Sequence, residues 1–319
     1  MGEQSKHEFS HIPVLFDECM EALAIKPGGT YVDCTAGGGG HSEGILSHLS
    51  PEGMLISFDK DDEALAVCTK KAQEHPDKNW KLIKSDFSNI KEVLDGLNID
   101  KVDGILADLG VSSHQIDTAQ RGFSYAVDGP LDMRMDEASG LTAYEVVNTY
   151  SQKKLEEIFR LYGEERYAGR IASGIVRDRQ EKPFETTVEL AKKIAGYMPS
   201  KARYEDQHPA RRCFQAIRIE VNHELDSVRT LLQEGPKLLK DGGRMAVISF
   251  HSLEDRIVKE EFRTAENPCT CPKDFPVCVC GKVSLGKVIT KKPVTAGKEE
   301  LVRNMRSHSA KLRVFERKN

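Results

Sequence analysis

The chain predicts an α/β fold built on a mostly parallel sheet, with a helical domain inserted into it. Three observations carry that prediction. Short apolar runs ending in an acid recur in the first ~110 residues, among them Thr30-Tyr31-Val32-Asp33 and Met54-Leu55-Ile56-Ser57-Phe58-Asp59, with helical stretches between them, the alternation expected of βαβ units. A run of four glycines and a histidine, Gly37 to His41, follows the first of these runs. From ~117 to ~210 the apolar spacing is that of helix alone.

Taken in order, the candidate strands are Tyr31 to Cys34, Met54 to Phe58, Lys81 to Ser85 and Gly104 to Ala107, with Asp62 to Glu74 helical between the second and third. The glycine run reads as a tight loop between strand and helix. Glycines let the backbone turn sharply and let a ligand approach it closely. The helix that follows, apolar at Ile45, Leu46 and Leu49, points its amide N–H groups back at that ligand. A nucleotide-like cofactor suits such a loop. The G-x-G-x-x-G dinucleotide fingerprint is absent, because Gly37 and Gly39 are followed by Ser42, and Gly38 and Gly40 by Glu43. What remains, an acid at the strand end and then glycines, resembles the first motif of class I S-adenosylmethionine-dependent methyltransferases, whose sheet is Rossmann-like. Asp59 lies where an acid can hold both ribose hydroxyls, and Phe87 in Ser85-Asp86-Phe87 is placed to pack on adenine. Read singly, each element is also compatible with a plain βα turn. The fourth strand runs into Asp108-Leu109-Gly110, which puts Asp108 at the sheet edge where ligands of open α/β folds gather.

Beyond that edge, Leu155, Ile158, Phe159 and Tyr162 share one helix face, Ile171, Ile175 and Val176 continue the pattern, and Thr186 with Glu189 forms a capping box. A helix from about Phe214 to Leu232 leads back to the sheet. Strands follow over Arg244 to Phe250 and over Lys311 to Glu316. The reading is a discontinuous sheet domain, 1–116 with 211–319, and an inserted helical substrate-recognition domain, 117–210.

The 319 residues carry a formal net charge of −4, so overall charge announces no polyanionic partner. Charge is unevenly spread. From Gly281 to Asn319 eleven Lys or Arg stand against three acids, which suits a phosphate surface or a solvated tail. No apolar stretch approaches the ~20 residues of a membrane span, and the polar N-terminus lacks a signal-peptide core. A cytoplasmic location and reduced cysteines follow as expectations. Cys269, Cys271, Cys278 and Cys280 form a compact cluster suited to structural zinc or to four thiols of a surface loop. The oligomeric state stays open; no segment argues for a homodimer.

Longer blocks are more specific. Asp108-Leu109-Gly110-Val111-Ser112-Ser113-His114-Gln115, Arg121-Gly122-Phe123-Ser124 and Asp128-Gly129-Pro130-Leu131-Asp132-Met133-Arg134-Met135 closely resemble the bacterial small-subunit (16S) ribosomal RNA cytosine-N4 methyltransferases, the RsmH or MraW family. So do His11-Ile12-Pro13-Val14-Leu15, Ala210 to Arg218, Ile248 to Asp255 and Ser309 to Arg313. The resemblance spans nearly the whole chain. It implies S-adenosylmethionine as cofactor, 16S rRNA of the small ribosomal subunit as partner, and N4-methylation of a decoding-centre cytidine. It implies cofactor contacts at Gly39, Gly40, His41, Asp59, Phe87, Asp108 and Gln115. Many amino-group methyltransferases carry an Asp/Asn-Pro-Pro-aromatic tetrad where this chain has Asp108-Leu109-Gly110-Val111. Asp108 therefore either contacts the reacting amine as the catalytic acid–base group or only anchors the cofactor.

Other candidates keep two readings. Arg121, Arg134, Arg211, Arg212 and Arg218 suit phosphate contact or ion pairs with nearby acids. Phe123 and Tyr125 suit base stacking or core packing. His251 suits the pocket wall, with Ser252 the cap of the helix that follows. Two further functions stay open: a methyltransferase of this fold acting on another RNA, DNA or a small molecule, and a non-catalytic ribosome-assembly factor. The intact acid and glycine set argues against the last, and the large arginine-bearing insert against a small-molecule substrate.

Overall fold

The computed structural model describes residues 13–201, 208–272, 277 and 279–318. Two compact units result, one running to Gly110 and resuming at Ser227, the other Val111–Asp226.

The first unit holds a seven-stranded sheet. Its strands are β1 (Thr30–Asp33), β2 (Met54–Asp59), β3 (Asn79–Lys84), β4 (Val102–Asp108), β5 (Leu239–Ser249), β6 (Gly286–Val288) and β7 (Lys311–Arg317), in the order β3-β2-β1-β4-β5-β7-β6. β1 through β5 pair in parallel; β7 runs antiparallel to β5 and to β6. The apolar runs become central strands because both faces are covered. Tyr31, Val32, Leu55, Ile56, Ile105, Leu106, Met245, Ala246 and Ile248 are all buried, the pattern of a parallel sheet rather than of one with a wet face. Helices α1 (Phe16–Leu23), α2 (Gly40–His48), α3 (Asp62–Glu74) and α4 (Ile90–Gly96) lie among the first strands in chain order. The order reverses between β1 and β4, so the chain leaves both strands in opposite directions and opens a crevice beyond their carboxyl ends.

The second unit is helical: α5 (Ser113–Asp117), α6 (Ala143–Thr149), α7 (Gln152–Leu161), α8 (Ala168–Asp178), α9 (Thr187–Tyr197) and α10 (Arg211–Asn222). The expected insert, 117–210, falls inside it. The unit also takes in 111–116 and α10, because Cys213, Phe214, Ile217 and Val221 of α10 share one core with Leu155, Phe159, Ile171 and Ile194. Asn222 ties the irregular segment before α6 to that helix: Met135 N donates to its Oδ1 at 2.7 Å and its Nδ2 donates to Met133 O at 2.8 Å. The Asp128-Gly129-Pro130 turn needs its glycine, since a Cβ there would lie 1.9 Å from Ala119 O.

Three expectations are corrected here. The helix expected from Phe214 to Leu232 is two, α10 and α11 (Glu224–Leu238), because His223 takes a left-handed conformation at φ 51°. Thr186 caps α9 by accepting from Glu189 N at 3.4 Å, but the Glu189 carboxylate accepts from Glu185 N instead of closing the box. The N-cap of α12 (Ser252–Glu266) is His251, not Ser252. Among the described residues no helix is long and apolar enough to cross a membrane.

Candidate active site

Each acid-ended apolar run puts its carboxylate at the carboxyl edge of the sheet. Asp33, last in β1, is completely buried. Its Oδ2 accepts from Ser42 Oγ at 2.6 Å and its Oδ1 from Thr35 N at 3.1 Å. Behind Ser42 the chain of contacts runs to Ser57 Oγ at 2.9 Å, which accepts from Trp80 Nε1 at 2.8 Å. Burial pushes the Asp33 carboxyl up to about 7, against the pull of those hydrogen bonds. Asp59, last in β2, accepts from Gly37 N at 2.8 Å on Oδ2 and from Asp61 N at 3.0 Å on Oδ1. It too is raised by burial.

Between these acids lies the glycine loop. Gly39 sits at φ +81°, where an added Cβ would also press on Lys71 and Cys68. It is the N-cap of α2 and offers no side chain to the first turn, so the helix start depends on something else for its amides. Around Gly38 a Cβ would meet nothing within 4 Å. Gly40, in contrast, is packed tightly against Pro13, with a Cβ only 2.4 Å from Pro13 Cγ. His41 turns its ring inward: it is buried, with Nε2 3.0 Å from Val14 O and Nδ1 3.7 Å from Asp108 Oδ2. Its available contact with a ligand is therefore through its backbone.

Asp108 ends β4. Its backbone N donates to Thr35 Oγ1 at 2.8 Å, which ties the β1 loop to this strand end. A quarter of its side chain is exposed, yet Oδ1 is sealed from solvent and has no hydrogen-bond partner among the described residues. Burial, with Asp33 and Glu254 nearby, holds this carboxyl well above the usual carboxylate range.

Glu254 is a site residue that reading the sequence missed. It is buried and accepts from Phe250 N at 2.8 Å, which fixes the turn from β5 into α12. Its other oxygen is 3.1 Å from His251 Nε2. The signal was a capping box at His251-Ser252-Leu253-Glu254, hidden because histidine is an unusual N-cap. Asp33, Asp59, Asp108 and Glu254 thus gather at one edge, where a cationic ligand would favour ionisation of the raised Asp33 and Asp108 carboxyls.

The remaining candidates separate. Phe87 opens a one-turn 3-10 helix over 87–89 whose N-cap is Asp86, itself paired with Lys60 at 3.1 Å. Gln115 belongs to the second unit, buried, its Oε1 accepting from Ser112 N at 3.0 Å in a capping box. Three of the five arginines are internal ties. Arg121 is buried and donates to Arg134 O and Met135 O; Arg134 forks onto Asp132; Arg218 forks onto Glu224 at 2.8 and 2.9 Å. Arg211 and Arg212 stand exposed on the first turn of α10. Phe123 is a core residue, and Tyr125 stacks on His208 with ring centroids 4.6 Å apart. Cys269, Cys271 and Cys280 converge on one another; Cys278, like His11 and Ile12, lies outside the described residues.

The raised Asp33 has a consequence for pH. Its folded-state value of about 7 exceeds the ordinary ~4 of an unfolded aspartate. Between those values the folded chain holds a proton that the unfolded chain has released, so stability falls as pH rises. From pH ~5 to ~7.5 this one group is expected to remove roughly 2–3 kcal/mol, and Asp108 adds in the same sense. Urea midpoints of the ligand-free protein should therefore drop over that interval, and drop less in Asp33→Asn. Equal drops in the two proteins would show that Asp33 is ionised in the fold already at pH ~5.

A sheet in the order 3-2-1-4-5-7-6, with the one strand β7 running against its neighbours on both sides, defines a class I methyltransferase, and this chain keeps its acids and glycines at the edge that such a fold uses. Its family can be stated as well. The chain belongs to the MraW methylase family, whose model matches residues 8–318, and it is a methyltransferase. Similar relatives are each called ribosomal RNA small subunit methyltransferase H. That of Lachnospira eligens is 53% identical over 97% of this chain and 98% of its own length. Those of Carboxydothermus hydrogenoformans and Caldicellulosiruptor saccharolyticus are 54% and 55% identical, each over 97% of this chain and 98% and 99% of their own.

Proposed function

We propose that this methyltransferase transfers a methyl group from S-adenosylmethionine to the N4 amine of a decoding-centre cytidine in 16S rRNA of the small ribosomal subunit. The choice of substrate is supported by the near-full-length likeness to relatives named for small-subunit ribosomal RNA. The choice of donor is supported by the site: an uncapped helix start, open space at Gly38 and raised carboxyls whose ionisation a cation favours. When bound, S-adenosylmethionine supplies an electrophilic methyl group on a sulfonium. The first-turn amides of α2 would hold its carboxylate, and Asp59 its ribose hydroxyls.

The observation that carries the chemistry is the Asp108 carboxyl: its Oδ1 has no hydrogen-bond partner among the described residues, and a quarter of its side chain is exposed. Cytosine N4 is a poor nucleophile because its lone pair is delocalised into the ring. An acceptor for an N4–H bond favours the pyramidal amine, and a base can take the proton shed as the N–C bond forms. A carboxyl held high by burial and by Asp33 is brought down by a neighbouring cation, so Asp108 is ready to accept once donor charge is in place. Glu254 and Thr35 act as positioning residues: one fixes the turn after β5, the other receives the backbone N of Asp108. The helical unit would supply RNA recognition, with Arg211 and Arg212 as its phosphate contacts, and the target base must leave its stack to react.

Labelled methyl transfer to undermethylated small subunits, followed by nucleoside mass spectrometry of the digested RNA, tests this. N4-methylcytidine at a single decoding-centre site is the expected result. Cofactor binding with no labelled RNA product would assign the site to another substrate.

A further inference from the structure

The segment between α12 and β6 has no role in the proposed reaction. Its base is closed by Leu285 N donating to Ala265 O at 2.8 Å and by Val288 N donating to Glu266 Oε1 at 3.0 Å. Beyond that base, none of the described residues from 267 to 284 is buried, and Val277, Val279 and Val283 are 70%, 73% and 79% exposed. Described residues that bury no apolar side chain do not offset their ordering entropy by the hydrophobic effect, which favours a staple.

Three sulfurs supply the means. Cys269, Cys271 and Cys280 come from the two ends of the segment, yet their Sγ atoms all lie within 4.8 Å of one another. Thiolates bound tetrahedrally at ~2.3 Å from a zinc ion stand about 3.8 Å apart, so an adjustment of about an ångström brings these three onto one ion. A second observation points the same way. Val279 N donates to Cys271 Sγ at 3.4 Å. A backbone N–H aimed at a sulfur stabilises the thiolate and orients its lone pairs, the outer-shell support that metal-bound ligands use.

We infer that Cys269, Cys271 and Cys280 form a structural zinc site that staples the loop between α12 and β6. Thiolate sulfur selects zinc over the hard cations; these three would fill three of its four tetrahedral positions, leaving the fourth to a further ligand such as water. On binding, each thiol gives its proton to solvent and its sulfur pair to the metal; no oxidant or reductant is needed. The site lies apart from Asp33, Asp59 and Asp108 in the chain and serves the loop, not methyl transfer. Whether or not the RNA assignment above holds, this inference stands or falls by itself.

The test uses the full chain, purified reduced and without chelators. Metal analysis should find about one zinc per chain, and Co²⁺ exchanged for it should show sulfur-to-metal charge-transfer bands in the near ultraviolet together with the visible bands of a tetrahedral site. The double variant Cys269→Ser/Cys271→Ser should lose both signals while its far-ultraviolet circular dichroism stays that of the parent. Trypsin cleavage at the exposed Lys282 should then accelerate, in the variant and in the chelator-treated parent alike. Protein that carries no zinc and gives no charge-transfer band with Co²⁺ would overturn the inference. So would a double variant that keeps its metal, or a disulfide among these cysteines in the reduced preparation.

Discussion

Asp108→Asn is expected to lower the turnover of methyl transfer by about 10²–10⁴ while cofactor binding changes only a few-fold, the range that a positioned proton acceptor contributes. The substitution keeps shape and one oxygen but removes the capacity to take a proton. Asp108→Ala removes the acceptor as well and should abolish transfer. The carboxyl's setting is the reason for expecting a loss in kcat: Oδ1 has no partner among the described residues, and a quarter of the side chain stays exposed, so the group keeps acceptor capacity that an arriving substrate can use through its exposed part. The opposite signature is equally legible. If Asp108 only anchors the cofactor, the loss falls on the Kd for S-adenosylhomocysteine, measured calorimetrically, and saturating cofactor restores turnover. Wild-type turnover in Asp108→Asn would remove the residue from the mechanism. Because burial and Asp33 hold the wild-type carboxyl high, kcat/KM should also rise with pH as this group ionises. That rise should disappear from the residual activity of the variant.

How far the site could be read in the sequence depends on the range of the interactions that build it. Asp33, Asp59 and Asp108 were legible because each closes an apolar run, and a strand's carboxyl end is where a parallel sheet presents its residues. The glycine loop was legible for the same local reason. Glu254 was not: within Ser252-Leu253-Glu254-Asp255 it looks like one of two surface acids, and only the packing shows that Glu254 is buried whereas Asp255 pairs with Arg313 at 2.7 Å. The arginines divide similarly. Asp132–Arg134 is a pair two residues apart, readable as a local tie, whereas Arg121 is absorbed by carbonyl groups of residues 134 and 135, which no composition signals. β6 escaped because three residues carry no periodicity; it exists by pairing with β7, and Gly286 is required there because a Cβ would lie 2.1 Å from Glu316 O. The break at His223 interrupts an apolar period that runs on undisturbed, so a single left-handed residue divides what spacing alone joins.

Asp59→Ala is expected to act on the other term of the rate. The Asp59 carboxylate does two things at the end of β2. It accepts from Gly37 N and Asp61 N, which holds the glycine loop against the strand, and each oxygen keeps a further lone pair for a ribose hydroxyl. Removing it takes away two charge-assisted hydrogen bonds to the cofactor, a loss of roughly 3 kcal/mol or about a hundredfold in Kd. That interaction is the same before and during methyl transfer, so kcat at saturating cofactor should stay close to wild type while KM for S-adenosylmethionine rises. Asp59→Asn, with one acceptor retained, should fall between the two. The loop function supplies the control. If the alanine variant weakened binding only by loosening Gly37, its thermal unfolding without ligand would shift as far as its affinity does, and Asn would rescue neither. An unchanged Kd in Asp59→Ala would mean that the ribose is held elsewhere. Together with Asp108→Asn, the pair separates binding from chemistry at two carboxylates on neighbouring strand pairs of one sheet: the acid that has backbone partners should set affinity, and the acid whose carboxyl keeps unused acceptor capacity should set rate.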